Sequence, residues 1–234
     1  MKSLFSILLL ASITVHAHTL PPEVKAIVDE VATLTGDLER GKILAQNCSA
    51  CHGDNGLPEN STTTRTPYVA DQTPTYTAIQ LASFKTGHRQ YKTMNSVSSR
   101  LSSQDITDLI AFYSSYEARN EHCKNNGAAY DLDEFAAGKL LAKTKRDITV
   151  SSGKVVQVSC TQCHGQDGVM PEESRQDTKH PDLAGLGRKY VYTQISGFAA
   201  GTKQAGPMAM IAKGLTEDQI NALSTYYSNM KRCR

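Results

Sequence analysis

The sequence predicts a mainly α protein made of two tandem copies of one helical module, the second carrying a small β-hairpin insertion. Three observations predict it: a pattern that recurs at a near-constant offset, apolar side chains at helical spacing, and N-cap boxes at matching places. The recurrence starts with Cys48-Ser49-Ala50-Cys51-His52-Gly53, which returns as Cys160-Thr161-Gln162-Cys163-His164-Gly165, 112 residues later. Downstream the offset settles at 114, where Pro67 matches Pro181, Tyr76 matches Tyr190, Gln80 matches Gln194, Phe84 matches Phe198 and Gly87 matches Gly201. Met94 and Met208 keep the same register, as do Ile106 and Ile220, Leu109 and Leu223, Tyr113 and Tyr227. Upstream, Gly41 to Ala45 matches Gly138 to Ala142 at an offset of 97.

In chain order, residues 1–17 read as a signal peptide. Met1-Lys2 is a positive start, Leu4 to Ile13 is apolar, and Val15-His16-Ala17 has the small-residue cleavage pattern. The mature chain is therefore expected in the periplasm, an oxidising compartment. Residues 18–118 form the first module, 119–132 a polar linker and 133–234 the second module. Asp37 to Asn47 and Asp133 to Ala142 read as opening helices that feed the Cys motifs. Thr75 to Thr86 and Lys189 to Ala200 carry apolar and aromatic residues at helical spacing. Ser102 with Asp105, and Thr216 with Gln219, are side-chain boxes that start the closing helices. Between each Cys motif and its middle helix the chain is rich in Pro, Thr, Asp and Gly, which predicts irregular loops. The second module holds about fifteen extra residues, Lys143 to Gln157. There Ile148-Thr149-Val150, Ser151-Ser152-Gly153 and Val155-Val156 read as a hairpin with a Gly turn.

Composition narrows the function. The 234 residues are 39% hydrophobic, with no Trp and 5 Phe, which is thin for two self-sufficient cores. Something else must supply apolar bulk. A charged fraction of 21% and a net charge of +2 exclude a charged tail protein and leave no case for nucleic acid as a partner. Past residue 20 no apolar run is long enough to span a membrane.

The C-x-x-C-H motif has a specific use. Two Cys one helical turn apart can bond a haem through thioethers, and the adjacent His can supply an imidazole to the iron. Cys48, Cys51 and His52 would hold one haem c covalently, and Cys160, Cys163 and His164 a second. The rival readings are a redox dithiol, which needs a βαβ context absent here, and a zinc site, which needs the two Cys pairs to meet. For the other axial position of each iron, Met94 and Met208 are the candidates. A Met on a helical stripe is ordinarily core filler. Met94, however, is the single Met of the first module between its His and the linker, and Met208 matches it in register. Met210 is the runner-up in the second module. His88 is the other candidate in the first, but its counterpart is Thr202. Thioether sulfur favours ferrous iron and raises the reduction potential, and an iron filled on both sides exchanges electrons without binding substrate.

These motifs carry a family resemblance. Two C-x-x-C-H modules are each followed by Pro67-Tyr68-Val69-Ala70 or Pro181-Asp182-Leu183-Ala184, then a Tyr, a Gln and a Phe in step, then the paired Met. The pattern resembles the dihaem cytochrome c4 family from about Asp37 to Tyr227. The resemblance implies two tandem class I cytochrome c domains in a pseudo-twofold relation, with haem propionate edges facing across the interface. It implies an electron carrier and not an enzyme. Its partners would be redox proteins, with a donor such as a cytochrome bc complex or a dehydrogenase and an acceptor such as a terminal oxidase. Association with the membrane would come through those partners. The alternatives are a dihaem enzyme such as a thiosulfate dehydrogenase, or the cytochrome subunit of a flavocytochrome c sulfide dehydrogenase. Three features depart from the pattern: Asp71 stands where the family carries Gly, the 143–157 insertion is extra, and so is the pair Cys123 and Cys233.

Smaller signals complete the reading. Cys123 and Cys233 lie outside the haem motifs, and in an oxidising compartment an even pair most simply forms a disulfide; an intermolecular bridge or a reactive thiol are the rivals. Pro58 and Pro171 are candidates to accept a hydrogen bond from the ligand imidazoles. Tyr76, Tyr190, Arg89 and Lys203 are candidate propionate donors, with a solvated surface as the rival reading. Four propionates would bring the mature chain from +1 to about −3, so docking would rest on local charge patches.

Overall fold

The computed structural model describes residues 20–58, 65–116, 130–150, 152–203 and 206–231. The expected signal peptide, most of the linker, and Cys123 and Cys233 lie outside the described residues.

The first module runs α1 (Pro22–Val31), α2 (Leu38–His52), α3 (Pro74–Lys85), α4 (Lys92–Ser98) and α5 (Ser103–Ser115). The second runs α6 (Leu132–Lys143), β1 (Arg146–Thr149), β2 (Val155–Val158), α7 (Cys160–His164), α8 (Arg188–Ala199), α9 (Gly206–Ala212) and α10 (Glu217–Asn229). The fold is the expected one, mainly helical with a single two-stranded antiparallel sheet among the described residues. Both closing helices start at the anticipated boxes, Ser102 with Asp105 and Thr216 with Gln219. The strands are shifted from expectation: Ile148 pairs with Val156, but the ladder extends outward to Arg146 and Val158 and releases Val150 to the turn. Gly153, at φ 78°, closes that turn. Helix α1 adds an element that the repeat did not announce. Val24, Ile27, Val28 and Val31 form its apolar stripe, and Val31 packs with Ala78 and Ile106. Pro22 at its first turn is the signal that could have marked it.

Each module is held by its opening helix crossing its closing helix. Ala45, Leu109, Phe112 and Tyr113 form the buried cluster of the first module, and Ala142, Leu223, Tyr226 and Tyr227 that of the second. These are the same repeat positions. Gly41 and Gly138 set the distance of approach. A Cβ on Gly41 would stand 2.0 Å from the Asp108 carbonyl oxygen, and one on Gly138 would stand 2.0 Å from that of Ala222. The first crossing is reinforced by charge. Asp108, fully buried, accepts from the Asp37 amide at 2.8 Å, from Gln104 at 2.8 Å and from the Arg40 guanidinium, which also reaches Asp105. Burial opposes ionisation of Asp108, but the Asp37 and Gln104 donors and Arg40 outweigh it and hold its carboxyl below the usual range.

The two modules share a polar and apolar interface. Tyr68, Leu186 and Val191 are buried together across it. The Tyr68 hydroxyl donates to Ala184 O at 3.0 Å, and the Gln72 side chain both donates to Asp182 O at 3.1 Å and accepts from the Asp182 amide at 2.7 Å. Arg175 of the second module, 4% exposed, donates to Asp182 at 2.5 Å and to the Asp71 carbonyl oxygen and carboxylate of the first at 2.5 and 3.1 Å. Asp71 has φ 49°, where its counterpart Gly185 has φ 77°. The family position therefore keeps its left-handed backbone, which Asp tolerates better than most residues. The substituted side chain gains an inter-module ion pair.

Two outcomes follow from the helix crossings. Gly41→Ala or Gly138→Ala should lower stability by about 3 kcal/mol through overpacking against a carbonyl, seen as a drop in midpoint on chemical unfolding. Asp108→Asn should weaken the protein at neutral pH by about 1–3 kcal/mol. A carboxyl whose folded pKa is lowered contributes above the ordinary value of 3.8 and loses that contribution as pH falls through the folded pKa, so the variant's stability should fall less steeply than wild type in acid.

Candidate haem sites

Cys48, Cys51 and His52 occupy the last turn of α2, and Cys160, Cys163 and His164 make up most of α7. Spacings of three and four residues place all three side chains of each set on one helical face. Gly53 and Gly165, at φ 76° and 79°, end the helices immediately after the His. A Cβ there would meet the carbonyl oxygens of Leu57 and Val169 at 2.3 and 1.9 Å. None of the four motif cysteines is in a disulfide with another described residue. The two Cys pairs do not meet, and among the described residues no cluster of three or more His, Cys, Asp or Glu could hold a metal ion, which counts against the zinc reading.

Both imidazoles are buried, and each has one nitrogen committed. His52 Nδ1 lies 2.9 Å from Pro67 O, and His164 Nδ1 lies 2.8 Å from Pro181 O. A carbonyl can only accept, so Nδ1 carries the proton and Nε2 keeps its lone pair. Burial pushes both His pKa values down, His164 to about 4, so the rings are neutral. The acceptors correct the sequence expectation, which named Pro58 and Pro171. The chain leaves each motif, makes its loop and returns. In the first module Gly56 O accepts the Val69 and Ala70 amides at 2.8 and 3.2 Å, and Tyr113 O accepts the Asp71 amide at 2.9 Å. In the second, Gly168 O accepts from Leu183 and Ala184 at 2.7 and 3.0 Å, and Tyr227 O from Gly185 at 2.8 Å. That stitching brings Pro67 and Pro181 to the imidazoles. Pro58 is buried elsewhere in the loop, and Pro171 starts a short turn over Glu172–Ser174. The equal spacing of Pro67 and Pro181 in the repeat was the available signal.

Met94 lies on α4 and Met208 on α9, both half-buried, and these short helices pack on α3 and α8 respectively. Met210 is half-buried on the same helix as Met208. His88 is exposed and bonds Glu23 on α1.

The chain fits a haem at each motif on two further counts. Among the described residues the buried hydroxyls of Tyr113 and Tyr227 find no oxygen or nitrogen partner and stand against the Cys48 and Cys160 thiols. Between the modules, Arg89 donates to Gln80 at 2.5 Å, Tyr190 at 3.2 Å and Gln194 at 3.1 Å, while Lys203 donates to Gln194. Burial, and then the nearby Arg89 charge, push Lys203 down to about 8. Two half-buried cations crowd together with neutral partners, an arrangement that asks for anions such as propionates. The structure thus brings Arg89, Tyr76, Tyr190 and Lys203 together.

Two homologous helical modules, each presenting C-x-x-C-H thiols beside a ligand-ready imidazole, define a tandem c-type cytochrome with two covalently bound haem c groups. A Cytochrome c family model matches residues 38–116. Cytochrome c4 from Pseudomonas aeruginosa is 29% identical over 206 residues, covering 86% of this chain and 92% of that protein. The thiosulfate dehydrogenase electron acceptor of Stutzerimonas stutzeri is 25% identical over 194 residues, 80% of each chain. The crystal structure of reduced recombinant cytochrome c4 from Pseudomonas stutzeri superposes with a TM-score of 0.65 at 27% identity, covering 84% of this chain and all of the other. The chain is a dihaem electron-transfer cytochrome that is similar to cytochrome c4 in sequence and fold.

Replacing Cys160 and Cys163 with Ala should leave one haem adduct of two by mass spectrometry. It should also unfold the second module, whose thin core needs the porphyrin, visible as a loss of roughly half the helical circular dichroism.

Proposed function

We propose that the chain relays single electrons between redox proteins in the periplasm, with domains at 18–118 and 133–234 and a leader at 1–17. Cys48 and Cys51, and Cys160 and Cys163, would form the thioether bonds. His52 and Met94 would fill the axial positions of one iron, and His164 and Met208 those of the other. The observation that carries this reading is the neutral, buried imidazole, whose Nδ1–H is bound to Pro67 or Pro181 and whose Nε2 is left as a ligand. When bound, the haem supplies a ferric–ferrous couple that takes up and releases one electron.

The residues around it do the rest. The proline carbonyls fix tautomer and ring orientation, so little rearranges between oxidation states. Thioether sulfur from the Met pair would favour the ferrous form and raise the potential. Arg89 and Lys203 would hold propionates at the inter-module face. With a His and a Met both bound, the iron would have no position open to substrate, and the chain would act as a carrier with a donor such as a cytochrome bc complex or a dehydrogenase and an acceptor such as a terminal oxidase. The likeness to a thiosulfate dehydrogenase electron acceptor supports a sulfur-oxidising dehydrogenase as one such donor.

The ferric protein should show a far-red sulfur-to-iron charge-transfer band integrating to two haems. Met94→Ala and Met208→Ala should each remove about half of it and lower the potential of one haem in a spectroelectrochemical titration. A band for one haem in the wild type would instead support the enzyme alternative. Loss of the band in Met210→Ala, and its retention in Met208→Ala, would reassign the second ligand.

A further inference from the structure

The two modules differ most in one place, and the difference is charged. In the first module α2 runs unbroken from Leu38 to His52. In the second the same path is cut into α6, the hairpin and α7. The first module presents its C-x-x-C-H motif without a hairpin, so the insertion is not needed to do so. Lys139 and Lys143 lie on α6, Lys145 between it and β1, Arg146 on β1 and Lys154 in the turn before β2; from Lys139 to Lys154 the one carboxylate is Asp147, with Asp133 and Glu134 in the first turn of α6. Asp147 accepts from its cross-strand partner Gln157 at 3.0 Å. Among the described residues none of the five cations is in an ion pair. All four lysines are exposed. In the first module, by contrast, Arg40 is tied to Asp105 and Asp108, and Lys42 is the exposed cation matching Lys139. Crowding unpaired like charges into one short segment costs stability, so the fold does not account for them.

The hairpin also sits beside the second haem site. β2 leads through Ser159 into Cys160, and β1 packs on α9, the helix of Met208. Ile148 and Val156 turn inward, whereas Val155, at 57% exposed, faces outward beside Lys154. Leu140 on α6 is 71% exposed. Exposed apolar side chains among charged ones are the composition of a transient protein interface, with apolar contact at the centre and charge at the rim. A membrane surface would call for a broad apolar stripe along an amphipathic helix, which this face lacks.

We propose that this basic hairpin face is the docking surface for an acidic redox protein, and that electrons are exchanged with that partner through the second haem. The proposal rests on the electron-carrier reading above. It gives the pseudo-symmetric molecule a direction: one end recognises an anionic partner by charge, while the first module serves a different contact.

The test is stopped-flow electron transfer between the holoprotein and an acidic blue-copper protein. Three variants are compared with the wild type: the hairpin triple Lys143→Glu/Lys145→Glu/Lys154→Glu, its milder Lys→Gln form, and a first-module triple Lys42→Glu/Lys92→Glu/Arg100→Glu. At low ionic strength the Glu hairpin triple should slow the reaction about tenfold, and the Gln triple less; the first-module triple should leave it roughly unchanged. The differences should vanish at about 0.5 M salt. Equal slowing by both Glu triples, or none by the hairpin variants, would overturn the proposal. So would hairpin-dependent sedimentation with phosphatidylglycerol vesicles while the protein–protein rate stays unchanged. A redox titration of the wild type keeps the two readings apart: two reversible one-electron steps uphold the carrier reading whatever the docking result.

Discussion

One hydrogen bond, made twice, organises this molecule: the Nδ1–H of a buried imidazole donating to the carbonyl of a proline fifteen or seventeen residues further on. A neutral imidazole in an apolar site must place its N–H somewhere, because an unmade bond there costs about 1–3 kcal/mol. Giving that proton to a backbone carbonyl leaves the opposite nitrogen free and aims it. The loops must therefore return to the His, and much of each module can be read as the means of returning them. Gly53 and Gly165 end the motif helix at once, Gly56 and Gly168 offer carbonyls that catch the incoming strand of loop, and Tyr113 and Tyr227 anchor its far end. The same two tyrosines turn their hydroxyls to the first motif cysteine, joining the closing helix to the haem-bearing one.

The interface between modules extends this logic. Asp182 directly follows the proline that holds His164, and its carboxylate accepts from the Met170 amide at 2.6 Å and from Arg175. Arg175 then reaches Asp71 of the other module. The support of one imidazole is thus tied, through three buried polar residues, to the neighbouring domain. A buried ion pair of this kind gives little net stability, since desolvation offsets attraction, but it is costly to break and so fixes a single arrangement. For a molecule with two redox centres, a fixed arrangement means a fixed separation for electron exchange. The Arg89 and Lys203 cluster is a second inter-module contact, made with neutral partners, with counterparts in the repeat brought face to face as a twofold relation requires.

Much of this was legible from residues alone, because the repeat prints it twice. The opening helices were written in the repeat of Gly41 to Ala45 at Gly138 to Ala142, the closing helices in Ser102 and Thr216, and the hairpin in its β-branched pairs around Gly153. What escaped was information that exists only after the chain folds back. Pro58 and Pro171 are nearer in sequence to the ligand His than Pro67 and Pro181, yet loop closure brings the latter pair into contact. Helix α1 escaped because it has no copy, although its apolar stripe is regular. The choice between Met208 and Met210 stayed open in the sequence because two residues along a short helix change the face but not the neighbourhood. At Asp71 a broken pattern was visible but its reason was not, since its partner Arg175 lies 104 positions away.

The insertion shows how a duplicated module acquires asymmetry without losing its chemistry. Extra residues could enter the second module only where they leave the Gly138 crossing and the Cys160–His164 turn intact, and the junction between α6 and α7 meets that condition. An antiparallel pair is suited to the site because its two ends are adjacent: β1 leaves and β2 returns at neighbouring points, Arg146 opposite Val158. Cross-strand alternation then separates two duties, with Ile148 and Val156 packing inward while the outward positions are free to vary. Surface chemistry can therefore change at the edge of one haem site while the ligand geometry of both stays under the control of the older, repeated contacts. Directional electron flow needs only that difference in recognition, and the fold provides it beyond the parts that hold the iron.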